Sequence, residues 1–346
     1  MRTDSLVRFG QLLAGGFVNN TILSSIDAVT DIYDFRMTPY LSQLVHGRSD
    51  DDPVSAQFRP DARELFHLPY ETSDPIGDDA FTPVKGIVHR YPDRVLLKAA
   101  HSCPVYCRFC FRREMVGSKG DALTSDELER AMDYVSGNSA IWEVILTGGD
   151  PLVLSNRRLK GILDRLARIE HVGVVRVHTR VPIVNPQRID QECTEAFVQP
   201  IPIYLAVHVN HAQELTTDAI ASLGRLSASG AVLLSQTVLL RGVNDDAAVL
   251  ETLFRQLVRL KIRPYYLHHP DLAPGTSHFR VSIETGQEIM RALRGRLSGL
   301  CQPTYVLDIP GGFGKVPIGP NYVAEKPADG TRQVVDYRGN RHNYPE

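Results

Sequence analysis

Three cysteines fall close together in His101-Ser102-Cys103-Pro104-Val105-Tyr106-Cys107-Arg108-Phe109-Cys110, with the spacing Cys-x3-Cys-x2-Cys. Thiolates are soft ligands that suit iron–sulfur clusters or zinc. One short loop of this spacing lets three thiolates bind three irons of a cubane cluster and leaves the fourth iron open. A structural zinc wants four ligands, usually from two paired Cys-x2-Cys units. No second pair is present, so a zinc would need His101 or a distant residue to complete it. Cys193 and Cys301 stand alone and read as small buried hydrophobes.

A second chemically loaded stretch is Leu307-Asp308-Ile309-Pro310-Gly311-Gly312-Phe313-Gly314-Lys315-Val316-Pro317. Its glycines allow a backbone to approach a ligand closely, and Lys315 stands at the end of the loop. A phosphate-binding loop of the Gly-x4-Gly-Lys-Ser/Thr type is excluded, because Ile309 occupies the first glycine position and Val316 follows the lysine. Between the two stretches, Thr147-Gly148-Gly149-Asp150-Pro151 reads on its own as a turn.

The elements that must position these residues alternate. Strand-like apolar runs cover Arg94 to Ala99, Trp142 to Thr147, Val172 to His178, Ile201 to Val207, Val232 to Val238 and Pro264 to His268. Amphipathic stretches lie between and after them, at about Arg157 to Ile169, Thr217 to Leu226, Asp246 to Leu260 and Glu284 to Leu297. A further helix is announced by a capping box at Thr124 and Glu127, where each side chain satisfies a backbone donor that the first turn leaves unpaired. Six strand-then-helix repeats predict an α/β fold with a parallel sheet, a closed or partial (βα)6 barrel. In such architectures ligands gather at the carboxyl ends of the strands. The cysteine loop follows the first strand, the Gly-Gly segment the second and His178-Thr179-Arg180 the third, while His208-Val209-Asn210 and His268 to Asp271 follow later ones. Residues 1–82 read as a helical lead-in with a charged loop at Ser49-Asp50-Asp51-Asp52-Pro53, residues 83–323 as the barrel, and residues 324–346 as a short C-terminal segment.

The whole-chain numbers exclude several classes. A chain of 346 residues with 43% apolar content can bury a large core. Its 38 basic and 40 acidic residues leave a net charge of -2, so no overall field points to nucleic acid or an anionic membrane. No apolar run reaches the length of a membrane span. The stretch from Leu12 to Val18, interrupted by Gly15 and Gly16 and followed by Asn19-Asn20, makes a poor signal peptide, and the cysteine pattern makes a poor disulfide framework. A reducing cytoplasm is the expected setting.

Cys-x3-Cys-x2-Cys after a first strand, with Phe109 next to the last cysteine, resembles the signature of the radical S-adenosylmethionine superfamily. That resemblance implies a [4Fe-4S] cluster on Cys103, Cys107 and Cys110, with S-adenosylmethionine on the open iron. It also implies a one-electron donor of flavodoxin or ferredoxin type. Gly148, Gly149 and Asp150 match the superfamily segment that contacts the amino group of S-adenosylmethionine. Several separated motifs from Pro83 to Val323, in the same order, resemble the lysine 2,3-aminomutase family. By that resemblance Lys315 forms a Schiff base with pyridoxal phosphate, Arg90 and Arg94 of His89-Arg90-Tyr91-Pro92-Asp93-Arg94 hold its phosphate, and Gln236 makes a polar contact to a cofactor. Arg112 grips the substrate carboxylate, and Asp271 and Asp308 receive the distant ammonium of lysine. In glutamate-specific relatives lysine and asparagine replace those two carboxylates, since a buried like charge would repel the substrate. The implied reaction moves the α-amine of L-lysine from C2 to C3 and yields β-lysine. The chain departs from the family's pattern in two places. The family's cysteine-rich zinc-binding tail has no counterpart in Arg341-His342-Asn343-Tyr344-Pro345-Glu346, and the partner cysteine of that site is Asp246. A homo-oligomer is expected, without the zinc that joins the family's subunits. A short tail is shared with relatives that modify lysine for attachment to elongation factor P, so that substrate, or another basic amino acid such as arginine or ornithine, is the alternative.

Overall fold

The computed structural model describes residues 23–116, 122–324 and 331–345. The leading part of the lead-in, including Leu12 to Val18, lies outside the described residues, as does Glu346.

A single nine-stranded sheet organises the chain, with its strands in sequence order. The six expected strands are present as β2 (Arg94–Ala100), β3 (Glu143–Gly148), β4 (Val174–Thr179), β5 (Ile203–His208), β6 (Val232–Val238) and β7 (Arg263–His268), after the edge strand β1 (Ile87–Tyr91). To these the structure adds β8 (Thr304–Ile309) and β9 (Gly314–Pro317). Strands β2 to β8 pair in parallel, while β1 and β9 pair antiparallel at the two edges. Near-continuous burial along β3 and β4 is what a parallel strand covered on both faces requires. The edges approach each other where the Tyr91 hydroxyl accepts the backbone N–H of Lys315 at 2.7 Å, leaving a nearly closed barrel.

Helices coat the outside because each presents one apolar stripe. In the lead-in stand α1 (Leu23–Ile32) and α2 (Pro39–Val45), and in the barrel α3 (Ser125–Ser136) and α4 (Asn156–Leu166). Two short helices follow, α5 (Val181–Val184) and α6 (Gln191–Glu195), then α7 (Thr217–Ala228), α8 (Ala247–Arg259) and α9 (Ile283–Leu293). In α4 the buried residues are Leu159, Ile162, Leu163 and Leu166, and in α8 Leu250, Leu253, Phe254 and Leu257. That spacing keeps them on one face. The capping box expected at α3 forms, with Thr124 and Glu127 each accepting the other's backbone N–H. Asp246 caps α8 by accepting from the N–H groups of Ala248 and Val249. Met37, Leu41, Val45, Val54 and Phe58 of the lead-in join the same buried cluster as the barrel strands. The last two strands, β10 (Thr331–Val335) and β11 (Arg341–Pro345), form a separate hairpin. Among the described residues no helix is long and apolar enough to cross a membrane.

Candidate functional site

The loop after β2 gathers the three cysteines within electrostatic reach of one another. Burial pushes the Cys110 thiol up to about 11, with the charge of Cys107 adding to it, and Cys103 and Cys107 are raised as well, burial leading in both. Thiols held together in this way bind as thiolates only when a cation takes the proton's place. Three soft thiolates from one buried loop are a donor set that fits an iron–sulfur cluster.

The lead-in builds the floor beneath this loop. Arg36 donates to the Cys103 carbonyl at 3.1 Å and its own carbonyl accepts the Tyr106 N–H at 2.8 Å. Arg108 is fully buried, and both its Nε and Nη2 reach Glu64, itself fully buried, which also pairs with Arg113. Arg180, at the end of β4, donates to the Cys107 sulfur at 3.0 Å and is clamped by Glu214 at 2.7 Å and Gln57 at 2.5 Å. A charged donor on a ligand sulfur steadies negative charge there.

Gly148 and Gly149 follow β3 and press on the same loop. A Cβ at Gly149 would lie 2.1 Å from the Ser102 carbonyl oxygen, and Gly148 holds φ +117 with its Cβ position 2.3 Å from the Ala100 oxygen. Only glycine permits this approach. The Asp150 carboxylate accepts from Thr179, from the backbone N–H groups of Leu152, Arg180 and Val181, and so is engaged within the protein. Burial raises its pKa even against those donors. Any ligand contact from this segment comes from its backbone.

Lys315 is not in a loop, as the glycines suggested, but in β9, directly across from Asp308 in β8. The reason is cross-strand pairing: Gly311 and Gly312, both at positive φ, make the turn, and Val316 and Leu307 continue the ladder. The Lys315 ammonium pairs with Asp308, lies 3.4 Å from Nδ1 of His268 and sits 5.7 Å from the Tyr266 ring centroid. Asp271, after β7, is pushed up to about 7, by burial first and then by the Asp308 charge, with Lys315 and Arg112 pulling the other way. The two carboxylates and the lysine thus share one field. His268 is held neutral by burial and by the nearby Lys315 charge.

Basic residues line the region near Tyr91. Arg90 and Arg112 both reach Asp78, at 3.0 and 2.9 Å, and the Lys98 ammonium is 3.8 Å from it. Arg94 opens β2, pairs with Asp93 and stacks 3.7 Å above the ring of Tyr91, whose hydroxyl holds Lys315. Gln236 pairs in register with His208 and Tyr266, on the wall between the two halves. His178 and His208 each keep a buried Nε2 without a partner among the described residues. Burial, with Arg180 next, lowers His208 to about 3. Unpartnered buried nitrogens are costly unless something else meets them, so the lumen is built to receive a polar guest.

The structure brings Cys103, Cys107 and Cys110 together with the Gly148-Gly149 segment, and Lys315 with Asp308, Asp271, Arg90, Arg94 and Arg112. Sequence reasoning gave no role to Arg180, Glu214, Gln57, Glu64, Asp78, Lys98 and Tyr91. Arg180 carried one usable signal, its place at a strand's carboxyl end. The acids of the lead-in carried none, because their partners stand dozens of residues away in sequence.

Comparison with known proteins agrees with this geometry. The Radical SAM superfamily profile matches residues 98–252, and the Lysine-2,3-aminomutase profile matches residues 290–346. The L-lysine 2,3-aminomutase of Methanococcus maripaludis is 41% identical over 307 residues, covering 88% of this chain and 71% of that protein. The L-lysine 2,3-aminomutase of Clostridium subterminale is 41% identical over 293 residues, covering 85% and 70%. A glutamate 2,3-aminomutase from Clostridioides difficile is 35% identical over 297 residues, covering 86% and 70%. With a thiolate loop after β2, a strand-borne lysine on β9 and this extent of identity, the chain belongs to the lysine 2,3-aminomutase family of the radical S-adenosylmethionine superfamily.

Proposed function

We propose that this chain is an L-lysine 2,3-aminomutase, an isomerase that shifts the α-amine of free L-lysine to C3. The observation that carries the reading is the paired acid: Asp271 and Asp308 share a field with Lys315 at the same end of the barrel. Two carboxylates at a buried position select a cationic side chain and would repel glutamate. When bound, the [4Fe-4S] cluster and S-adenosylmethionine supply a carbon radical, and pyridoxal phosphate supplies an electron-accepting ring for the migrating nitrogen.

The chain's own residues bind and orient. Cys103, Cys107 and Cys110 hold the cluster, with Arg180 bearing on the Cys107 sulfur. Gly148 and Gly149 let the backbone close over the loop. Arg112 offers a planar fork to the substrate carboxylate, while Arg90 and Arg94 offer theirs to the coenzyme phosphate. Lys315 must shed a proton from Nζ before it can attack an aldehyde. Asp308 is its ion-pair partner, and the neutral His268 ring stands 3.4 Å away at Nδ1, where burial and the Lys315 charge disfavour a second cation and so favour the uncharged amine.

The test is turnover. Protein reconstituted anaerobically with iron, sulfide, S-adenosylmethionine and pyridoxal phosphate, and reduced by a flavodoxin- or ferredoxin-type donor, is offered L-lysine, arginine, ornithine and lysylated elongation factor P. Chromatography with mass spectrometry should find β-lysine from free lysine. Exclusive turnover of another member of the set would overturn the assignment of substrate.

A further inference from the structure

Asp78 is 2% exposed and has no part in the function argued so far, yet three cations from three segments converge on it. Its oxygens divide the work. Oδ1 accepts from Arg90 of β1, while Oδ2 accepts from Nε and Nη2 of Arg112, beyond the cysteine loop, and faces the Lys98 ammonium of β2. Burial alone would raise the pKa of this acid, but Arg112, Lys98 and Arg90 together outweigh it and keep the carboxylate charged. One buried carboxylate is shared among three cations, with Asp74 and Asp79 also acting on Lys98, and the buried Arg90 Nε lacks a partner among the described residues.

The loop that carries Asp78 is itself fixed. The Asp74 carboxylate accepts the N–H groups of Asp78 and Asp79 at 2.8 and 2.9 Å. The Ile76 carbonyl accepts from the same Arg90 nitrogen that reaches Asp78, so this loop holds the guanidinium twice. At Gly77, with φ +67, a Cβ would lie 2.5 Å from the Gly312 nitrogen. The loop therefore rests on the turn that leads into Lys315, and the Gly312 side of that turn packs on the Phe81 ring. Two guanidiniums assigned to different parts of the ligands, and the turn that leads into Lys315, touch one short segment.

The geometry points to Asp78 as the positioning residue of the anion-binding half of the site. It holds Arg112 and Arg90 in a set arrangement and, through its loop, against the Lys315 hairpin, so that substrate carboxylate and coenzyme phosphate are placed relative to the amine-bearing lysine. This inference rests on the proposed function and deepens it. Charge-assisted hydrogen bonds to an ionised acid fix a guanidinium's plane as well as its position, and a guanidinium out of place weakens ground-state and transition-state binding alike.

Asp78→Asn keeps the shape and removes the charge. We expect it to raise KM for lysine about tenfold or more and to loosen pyridoxal phosphate by a similar factor, with kcat at saturation changed much less, since the loss is one of placement before the reaction. Coenzyme binding is read by absorbance on protein without substrate, and the visible cluster absorbance should stay unchanged. Asp78→Glu should recover part of both affinities. Should Asp78→Asn fail to fold, the double variant Asp78→Asn with Lys98→Met removes one cation along with the acid and is expected to show the same two losses. Folded Asp78→Asn or double variant with both affinities within twofold of the parent overturns the inference. Arg112→Lys separates the two levels: a raised KM there with an unaffected Asp78→Asn sinks only the role of Asp78, whereas no effect of Arg112→Lys sinks the carboxylate assignment beneath it.

Discussion

Replacing Asp271 by asparagine removes a titrating group while keeping its size, and the structure sets the consequence. Burial and the Asp308 charge hold the Asp271 carboxyl at about 7, against an ordinary value of 3.8. A folded-state pKa above the unfolded one stabilises the fold below the unfolded value and is lost as pH rises through the folded value. At about pH 5.5 the folded protein holds the proton and the unfolded chain has largely shed it, a gap of about one and a half pH units worth about 2 kcal/mol. At about pH 8 neither state holds it and the gain is gone. Denaturant unfolding of the protein without cofactors, at those two pH values, should therefore show the parent losing about 2 kcal/mol relative to Asp271→Asn on going from the acid to the alkaline condition. The kinetic counterpart has the same sign. An ionised Asp271 attracts the substrate ammonium, so kcat/KM for lysine should fall about tenfold per pH unit below about 7, and Asp271→Asn should be slow and lack that limb. A stability gap between parent and variant that stays constant across pH would refute the claim that Asp271 is buried beside a second charged acid.

Two further outcomes follow, one from Lys315 and one from Glu64. Lys315→Met should abolish the borohydride-fixed pyridoxal band while leaving the iron–sulfur absorbance intact, since Lys315 lies on β9 and the thiolates follow β2; a fixed coenzyme in that variant would move the attachment elsewhere. Glu64→Gln leaves Arg108 and Arg113 buried with their shared anion gone, and should lower unfolding stability by about 3–5 kcal/mol, measured by urea denaturation, with a loss under about 1 kcal/mol contradicting the network.

How much could be read from the chain depended on whether partners were near in sequence. The six parallel strands announced themselves through β-branched apolar runs, and α3 through a capping box whose two members are three residues apart. The cysteine loop needed only its own spacing. Lys315 was legible as a residue and not as a structure, because its glycines signal a turn while the pairing that makes β9 a strand comes from β8. β1 was hidden for a similar reason, its five residues being an edge strand with half-exposed polar side chains. The acids were the least legible. Glu64 finds Arg108 forty-four residues away and Asp78 finds Arg112 thirty-four away, and no periodicity connects them. Asp246 turns out to cap α8.

The barrel wall is a strip whose two ends are buckled by the Tyr91 hydroxyl on the Lys315 amide. Every inner strand is laced to neighbours on both sides, but the plank that carries the reactive amine is laced on one side only. On the roles proposed above, the residues that would hold the coenzyme stand at both ends of that strip, Arg90 on β1 and Arg94 at the start of β2 against Lys315 on β9, so that loading the site would also fasten the wall.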